Sequence, residues 1–292
     1  MKNYQTLEIT AVLALGIMFA AAEPARAQED KTIQGDRTII ENIPFITQAP
    51  QGHWNTEPWA NACEETSLSM VDIFYDIQLQ NSDANKLAYK MEIEGDTHAQ
   101  SKIILDMLGL KNDVFGITED ETPHMMRAVI AKNLQWYAQV AINPTVEDLK
   151  AQIDLNRPVI LPVYGELLYN GQYAYPGPDY HVGVLVGYTN DTFIMHDPGT
   201  NRGNYIEYNI ETVMDSMESL VNNGFMEQKS AVFTAPNSES YNFDHLDSRT
   251  GQHDLRKINV IEAAENMYQE TITPGVELIA MVRKLISVVV YG

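Results

Sequence analysis

Residues 58–70 read PWANACEETSLSM and contain Cys63, the only cysteine in a chain of 292 residues. Pro58, Trp59, Ala60 and Asn61 are loop material. From Cys63 onward Leu68, Met70, Val71, Phe74 and Tyr75 recur at helical spacing, which predicts a helix from Cys63 to about Asp76. The thiol then stands at a helix start, where the positive end of the helix dipole favours thiolate. The Cys63 N–H at such a position can point at an oxyanion. Glu64 and Glu65 oppose thiolate if they lie close to the sulfur, yet acidic residues suit a helix N-terminus, so their net effect stays open here. The competing explanation is a buried cysteine acting as a small apolar residue.

The chain around this stretch narrows the choice. Lys2 precedes the apolar run ITAVLALGIMFAAA (9–22) and small residues ending at Ala25-Arg26-Ala27. These are the n-region, h-region and cleavage site of a signal peptide over residues 1–27, which implies an exported protein whose mature chain starts near Gln28. The h-region is short for a membrane span, so no stable membrane insertion is expected after cleavage; an uncleaved anchor is the alternative. Exported proteins use cysteines in pairs for disulfides, and a single cysteine forms no internal bridge, which marks it as a candidate reactive thiol. The same count excludes cysteine-rich metal sites, and no cofactor is expected. A net charge of −21 argues against nucleic acid and anionic membrane surfaces as partners. Hydrophobic residues at 45% suffice for a substantial core, and nothing in the sequence speaks to oligomeric state.

Residues 28–37 are polar and read as a flexible start. A strand-like run, TIIENIPFI (38–46), leads into the loop that carries Trp54 and Trp59. Further helices are predicted over 98–109, 123–133 and 145–154, the second with Thr122 as cap and Pro123 at the first helical position. After Arg157 the pattern turns to short β-branched runs: PVILPVYG (158–165), HVGVLVGYT (181–189), DTFIMHDP (191–198) and later SAVFTAP (230–236). Helices first and strands second predict an α+β domain over 38–236. Residues 237–292 read as a polar linker plus a helical C-terminal extension, with helices near 258–269 and 274–289.

A thiol nucleophile needs a base and an orienting group. His181 opens the strand HVGVLVGYT directly after a tyrosine-rich loop, GELLYNGQYAYPGPDY (165–180), and is the candidate base. Asp197 follows sixteen positions later, room for a strand, a tight turn and a return, and is the candidate orienter. His196 beside it points to the opposite face by strand alternation. His53, His98, His124, His245 and His253 sit in polar or helical contexts. Trp54, Trp59 and the tyrosines of 164–180 are packing residues or cleft lining.

Four blocks in this order, IPFITQAP, W…ACEETSLSM, DYHVGVLVGY and FIMHDPG, resemble those of the C-39-like cysteine peptidases, relatives of the bacteriocin double-glycine-leader peptidases within the papain-fold group. The resemblance covers about residues 40–236. It implies a papain-like fold, with the nucleophile at a helix start and an antiparallel sheet carrying His and Asp. It also implies a triad of Cys63 as nucleophile, His181 as base and Asp197 as orienter, with Gln48 donating to the oxyanion. The departure is CEET, where many relatives have a glycine and a proline after the cysteine. The implied function is hydrolysis of peptide or isopeptide bonds, with a peptide or protein substrate, through a thioester acyl-enzyme. Transfer of the acyl group to an amine, as in a transpeptidase or transglutaminase, uses the same residues. A papain-fold binding module with an idle site is the non-enzymatic alternative.

Overall fold

The computed structural model of the chain describes residues 31–34, 36–116, 121–168 and 176–236. The expected signal segment and the C-terminal extension lie outside the described residues. Within the stretch expected to be flexible, Lys31–Gln34 form strand β1, paired antiparallel with β2 (Arg37–Ile40). Pairing supplies the order that the polar composition does not suggest.

The domain is helical first and stranded second. A short 3-10 turn (Trp59–Asn61) leads into α1 (Cys63–Gln78), followed by α2 (Asp83–Gly95), α3 (Thr97–Phe115) and α4 (Pro123–Asn133). Then come β3 (Trp136–Ile142), α5 (Val146–Asp154), β4 (Val159–Val163), β5 (His181–Tyr188), β6 (Thr192–His196), β7 (Ile206–Asn209), α6 (Ile210–Asn222) and β8 (Ser230–Pro236). The eight strands form one antiparallel sheet in the order β1-β2-β5-β4-β8-β3, with β6 and β7 branching from β5. Strand β5 is the hub, pairing with β2, β4 and β6. At its far end only glycine fits, since a Cβ on Gly187 would lie 2.6 Å from the Thr38 carbonyl oxygen. Pro162 in β4 is tolerated because β8 pairs only with Val159 and Ile160, so beyond them that side of the strand is an edge.

Helix α1 packs along β5, with α3 against it, and Asp76 is its single exposed residue. Leu68, Met70, Val71 and Phe74 join Val184, Phe193 and Phe233 in one contiguous core. A helix buried on all sides must satisfy its polar residues internally. Ser69 does so by donating to the Glu65 carbonyl one turn back, at 2.6 Å. Among the described residues no helix is long and apolar enough to cross a membrane.

Candidate active site

The site begins with what α1 lacks. Helices α2, α3, α4, α5 and α6 each have a side-chain cap, from Ser82, Asp96, Thr122, Thr145 and Asn209 respectively. At α1 the N-cap is Ala62, which has no side chain to offer. The first N–H groups of any α-helix have no acceptor within the helix. An uncapped start leaves the dipole's positive end to act on what is there, and Cys63 is the first helical residue.

The helix start is fixed against the histidine strand. Ser67 lies one turn after Cys63, and its hydroxyl donates to the Val182 carbonyl at 3.3 Å. Val182 follows His181, so the turn carrying the cysteine is tied to the strand end carrying the histidine. Both side chains are buried, Cys63 at 5% exposure and His181 at 3%. His181 Nε2 lies 2.8 Å from Asp197 Oδ1. An ionised carboxylate only accepts, so this contact puts the ring proton on Nε2 and makes Nδ1 the basic nitrogen.

Asp197 is itself held from several sides. The Gly199 N–H donates to Oδ1 at 3.0 Å, and the Tyr208 hydroxyl on β7 donates to Oδ2. The Asp197 N–H donates to the Gly203 carbonyl at 2.9 Å. A Cβ at Gly203 would lie 1.7 Å from the Asp197 carbonyl oxygen, so only glycine permits this approach. His196 occupies the other face, as strand alternation requires. It is fully buried between Tyr205 and Phe45, with edge-on ring centroids 4.5 and 5.8 Å away. Burial pushes its pKa down to about 3, with a lesser contribution from the charge of Lys90 and a small opposing one from the Pro44 carbonyl. Neither ring nitrogen makes a hydrogen bond of good geometry to a described residue. It stays neutral and takes no part in the His181 pair.

Gln48 joins the two halves. Its backbone N–H donates to the Pro198 carbonyl at 2.9 Å, beside Asp197. Its side-chain Nε2 donates to the Trp59 and Ala60 carbonyls, at 2.9 and 3.2 Å, in the turn before Cys63. Both amide hydrogens are thus engaged in this state, and Gln48 braces the loop that delivers the cysteine. Trp59 packs partly buried against the core.

Glu64 and Glu65 are both buried. Glu65 forms an ion pair with Lys111 of α3, itself 1% exposed. Glu64 Oε1 accepts from the Glu121 N–H at 2.8 Å, and Oε2 accepts from the Cys63 thiol at 3.0 Å. The Glu121 side chain is buried beside them. Burial, then the charge of Glu65, pushes its pKa well above the carboxylate range against the pull of Lys111. For Lys111, burial favours the neutral form, but Glu65, Glu121 and Glu64 together outweigh it and raise its pKa. The Tyr180 hydroxyl donates to the Glu121 carbonyl at 2.7 Å, closing the network next to His181.

Of the four candidate residues, His181 and Asp197 are paired directly, Gln48 links the residue after Asp197 to the turn before Cys63, and Ser67 ties the helix of Cys63 to the strand of His181. Tyr208, Ser67, Gly203, Lys111 and Glu121 were not singled out. Buried serines, tyrosines and ionised groups carry no pattern of their own. Among the described residues no three His, Cys, Asp or Glu side chains group as a metal site.

The family model described as "Peptidase_C39 like family" matches residues 40–224. The chain is similar to the solved structure of a C39-like peptidase from Bacillus anthracis, at 16% identity, covering 70% of this chain and 100% of that one, with a TM-score of 0.43. It is also similar to the Pseudomonas avirulence protein AvrPphB, at 14% identity, covering 60% of this chain and 90% of that one, with a TM-score of 0.27. No curated protein matches the chain.

Proposed function

The chain belongs to the Peptidase_C39 like family, and on that premise we propose that it is an exported thiol hydrolase of peptide or isopeptide bonds. Cys63 is the nucleophile, His181 the base and Asp197 the orienter. The observation that supports this most is the buried contact between His181 Nε2 and Asp197 Oδ1, at 2.8 Å, on the strand end to which Ser67 ties the cysteine's helix.

In the acylation step the sulfur attacks the substrate carbonyl carbon, and the thiol proton passes to His181 Nδ1. The imidazolium so formed is stabilised by Asp197, whose carboxylate Gly199 and Tyr208 hold in place. The carbonyl electron pair moves to oxygen, which the Cys63 N–H at the uncapped helix start stabilises. Gln48 is the second donor. It reaches the oxyanion by giving up one of its two carbonyl contacts, at Trp59 or Ala60. Collapse expels the amine with the histidine's proton, and water then hydrolyses the thioester.

The test is digestion of a mixed peptide library by the purified chain and by Cys63→Ala, with products read by mass spectrometry. The wild type should cleave and be labelled by iodoacetamide at neutral pH, and the alanine variant should do neither. Undiminished cleavage by Cys63→Ala overturns the reading. Adding a small amine separates hydrolysis, which leaves free carboxyl ends, from acyl transfer, which leaves amide adducts.

A further inference from the structure

Two groups that take protons bear on the proposed nucleophile: His181, its assigned base, and Glu64, which its thiol contacts directly. The mechanism above uses only the first. Glu64 is 0% exposed, and each of its oxygens faces a donor, the Glu121 N–H at 2.8 Å and the Cys63 thiol at 3.0 Å. An ionised carboxylate accepts on both oxygens and donates from neither, which is the pattern of contacts Glu64 makes. The start of α1 favours a negative charge at this position.

We propose that Glu64 is a catalytic residue that keeps Cys63 as a neutral thiol in the resting state, so that the proton leaves for His181 only as substrate is attacked. This rests on the hydrolase reading and specifies how its nucleophile is stored. At rest the S–H bond is intact and hydrogen-bonded to Glu64 Oε2. During attack that S–H bond breaks, the proton binds His181 Nδ1, the S–C bond forms, and the carbonyl electron pair becomes the oxyanion. Glu64 stays ionised throughout, and its charge opposes a preformed thiolate.

The surrounding groups leave Glu64 as the carboxylate that decides this. From α1, Glu65 is neutralised by Lys111 of α3. From the segment before α4, Glu121 has its pKa raised well above the carboxylate range, chiefly by burial, which favours its acid form. From β5 and the turn after β6 come His181 and Asp197, paired with each other. Tyr180 and Tyr208 are occupied as donors to the Glu121 carbonyl and to Asp197.

The rate of alkylation by iodoacetamide, followed against pH, reports thiolate without any substrate. In Glu64→Gln the amide oxygen can still accept from the Glu121 N–H, while the negative charge is gone. Its alkylation profile should move to lower pH by about one unit, giving about tenfold faster alkylation on the acid limb. Glu64→Asp keeps the charge and should stay close to wild type, and thermal unfolding checks that both variants are folded. A Glu64→Gln profile that overlays wild type, or moves to higher pH, overturns the proposal. The second result is the one expected if Glu64 were instead an acid donating to a thiolate. The predicted shift in Glu64→Gln together with a wild type that cleaves no peptide would refute the hydrolase reading and leave Glu64's hold on the thiol proton standing.

Discussion

His196 offers a prediction whose size follows from one buried ring. In the folded protein its pKa is about 3, against an ordinary 6.5. Below pH 6.5 the unfolded chain therefore binds a proton that the folded chain does not, and stability falls as pH falls. At pH 5 the unfolded ring sits 1.5 units below its pKa, and at about 1.36 kcal/mol per unit the folded state has lost roughly 2 kcal/mol from this group. The folded value hardly enters, because the buried ring is neutral at pH 5 throughout. Glu121 acts in the opposite sense: its raised pKa gives a contribution present at low pH and lost as pH rises through the folded value. A comparison of wild type with His196→Leu cancels Glu121 and every other shared group. Urea unfolding of both, followed by tryptophan fluorescence at pH 7.5 and pH 5, should show the stability gap moving by about 2 kcal/mol in favour of the leucine variant. A gap constant to within about 0.5 kcal/mol would refute the assignment of His196 as a ring kept neutral by burial.

His181→Ala removes the proposed base and should lower kcat/KM by about 10²–10⁴, the usual contribution of general base catalysis. Asp197→Asn removes only the orienting charge and should cost less, so equal and complete loss in a folded variant would argue for a more direct part for the aspartate. Lys111→Met leaves Glu65 buried without its counter-charge and should destabilise the fold by about 3–5 kcal/mol in urea unfolding, whereas a loss below about 1 kcal/mol would show that Glu65 has taken up a proton or another partner.

What the sequence reveals follows from how local each signal is. Helix α4 is legible from Thr122 and Pro123, which cap and open it, and α5 from the capping box of Thr145 and Asp148. Strands β4, β5, β6 and β8 are legible as short apolar runs bounded by turn residues. Helix α2 is not read, because Ile93 is its single buried residue and Leu87 and Met91 lie more than half exposed, so no apolar stripe exists. Strand β3 is also missed; it is buried at most positions and shows no alternation. Helix α6 could have been found. Val213, Ser216, Met217 and Leu220 are buried at i, i+3, i+4 and i+7, and the serine blurs that stripe. In the site, His181 and Asp197 form a buried pair and Cys63 is the first residue of α1. The Gly203 carbonyl and the Tyr208 hydroxyl that hold Asp197 come from a separate turn and strand, which no local pattern announces.

Glu64 and Glu65 show the same limit and its consequence. Adjacent residues on a helix point about 100° apart, so two like side chains meet different neighbours. Glu65 meets Lys111 from α3, while Glu64 turns to the thiol and to the Glu121 N–H, 57 residues away. Burial favours the acid form of Glu121 and Lys111 counters Glu65, which leaves Glu64 as the carboxylate set against the sulfur. A glycine after the cysteine would put no charge there, and the uncapped helix start would then favour thiolate unopposed. Thiolate is the form that oxidants attack and the form that metals capture. For a single cysteine in a chain proposed to be exported, a carboxylate that keeps the resting sulfur protonated protects the nucleophile. It does so at the cost of a proton transfer in every turnover, which the proposed mechanism assigns to His181, itself paired with Asp197.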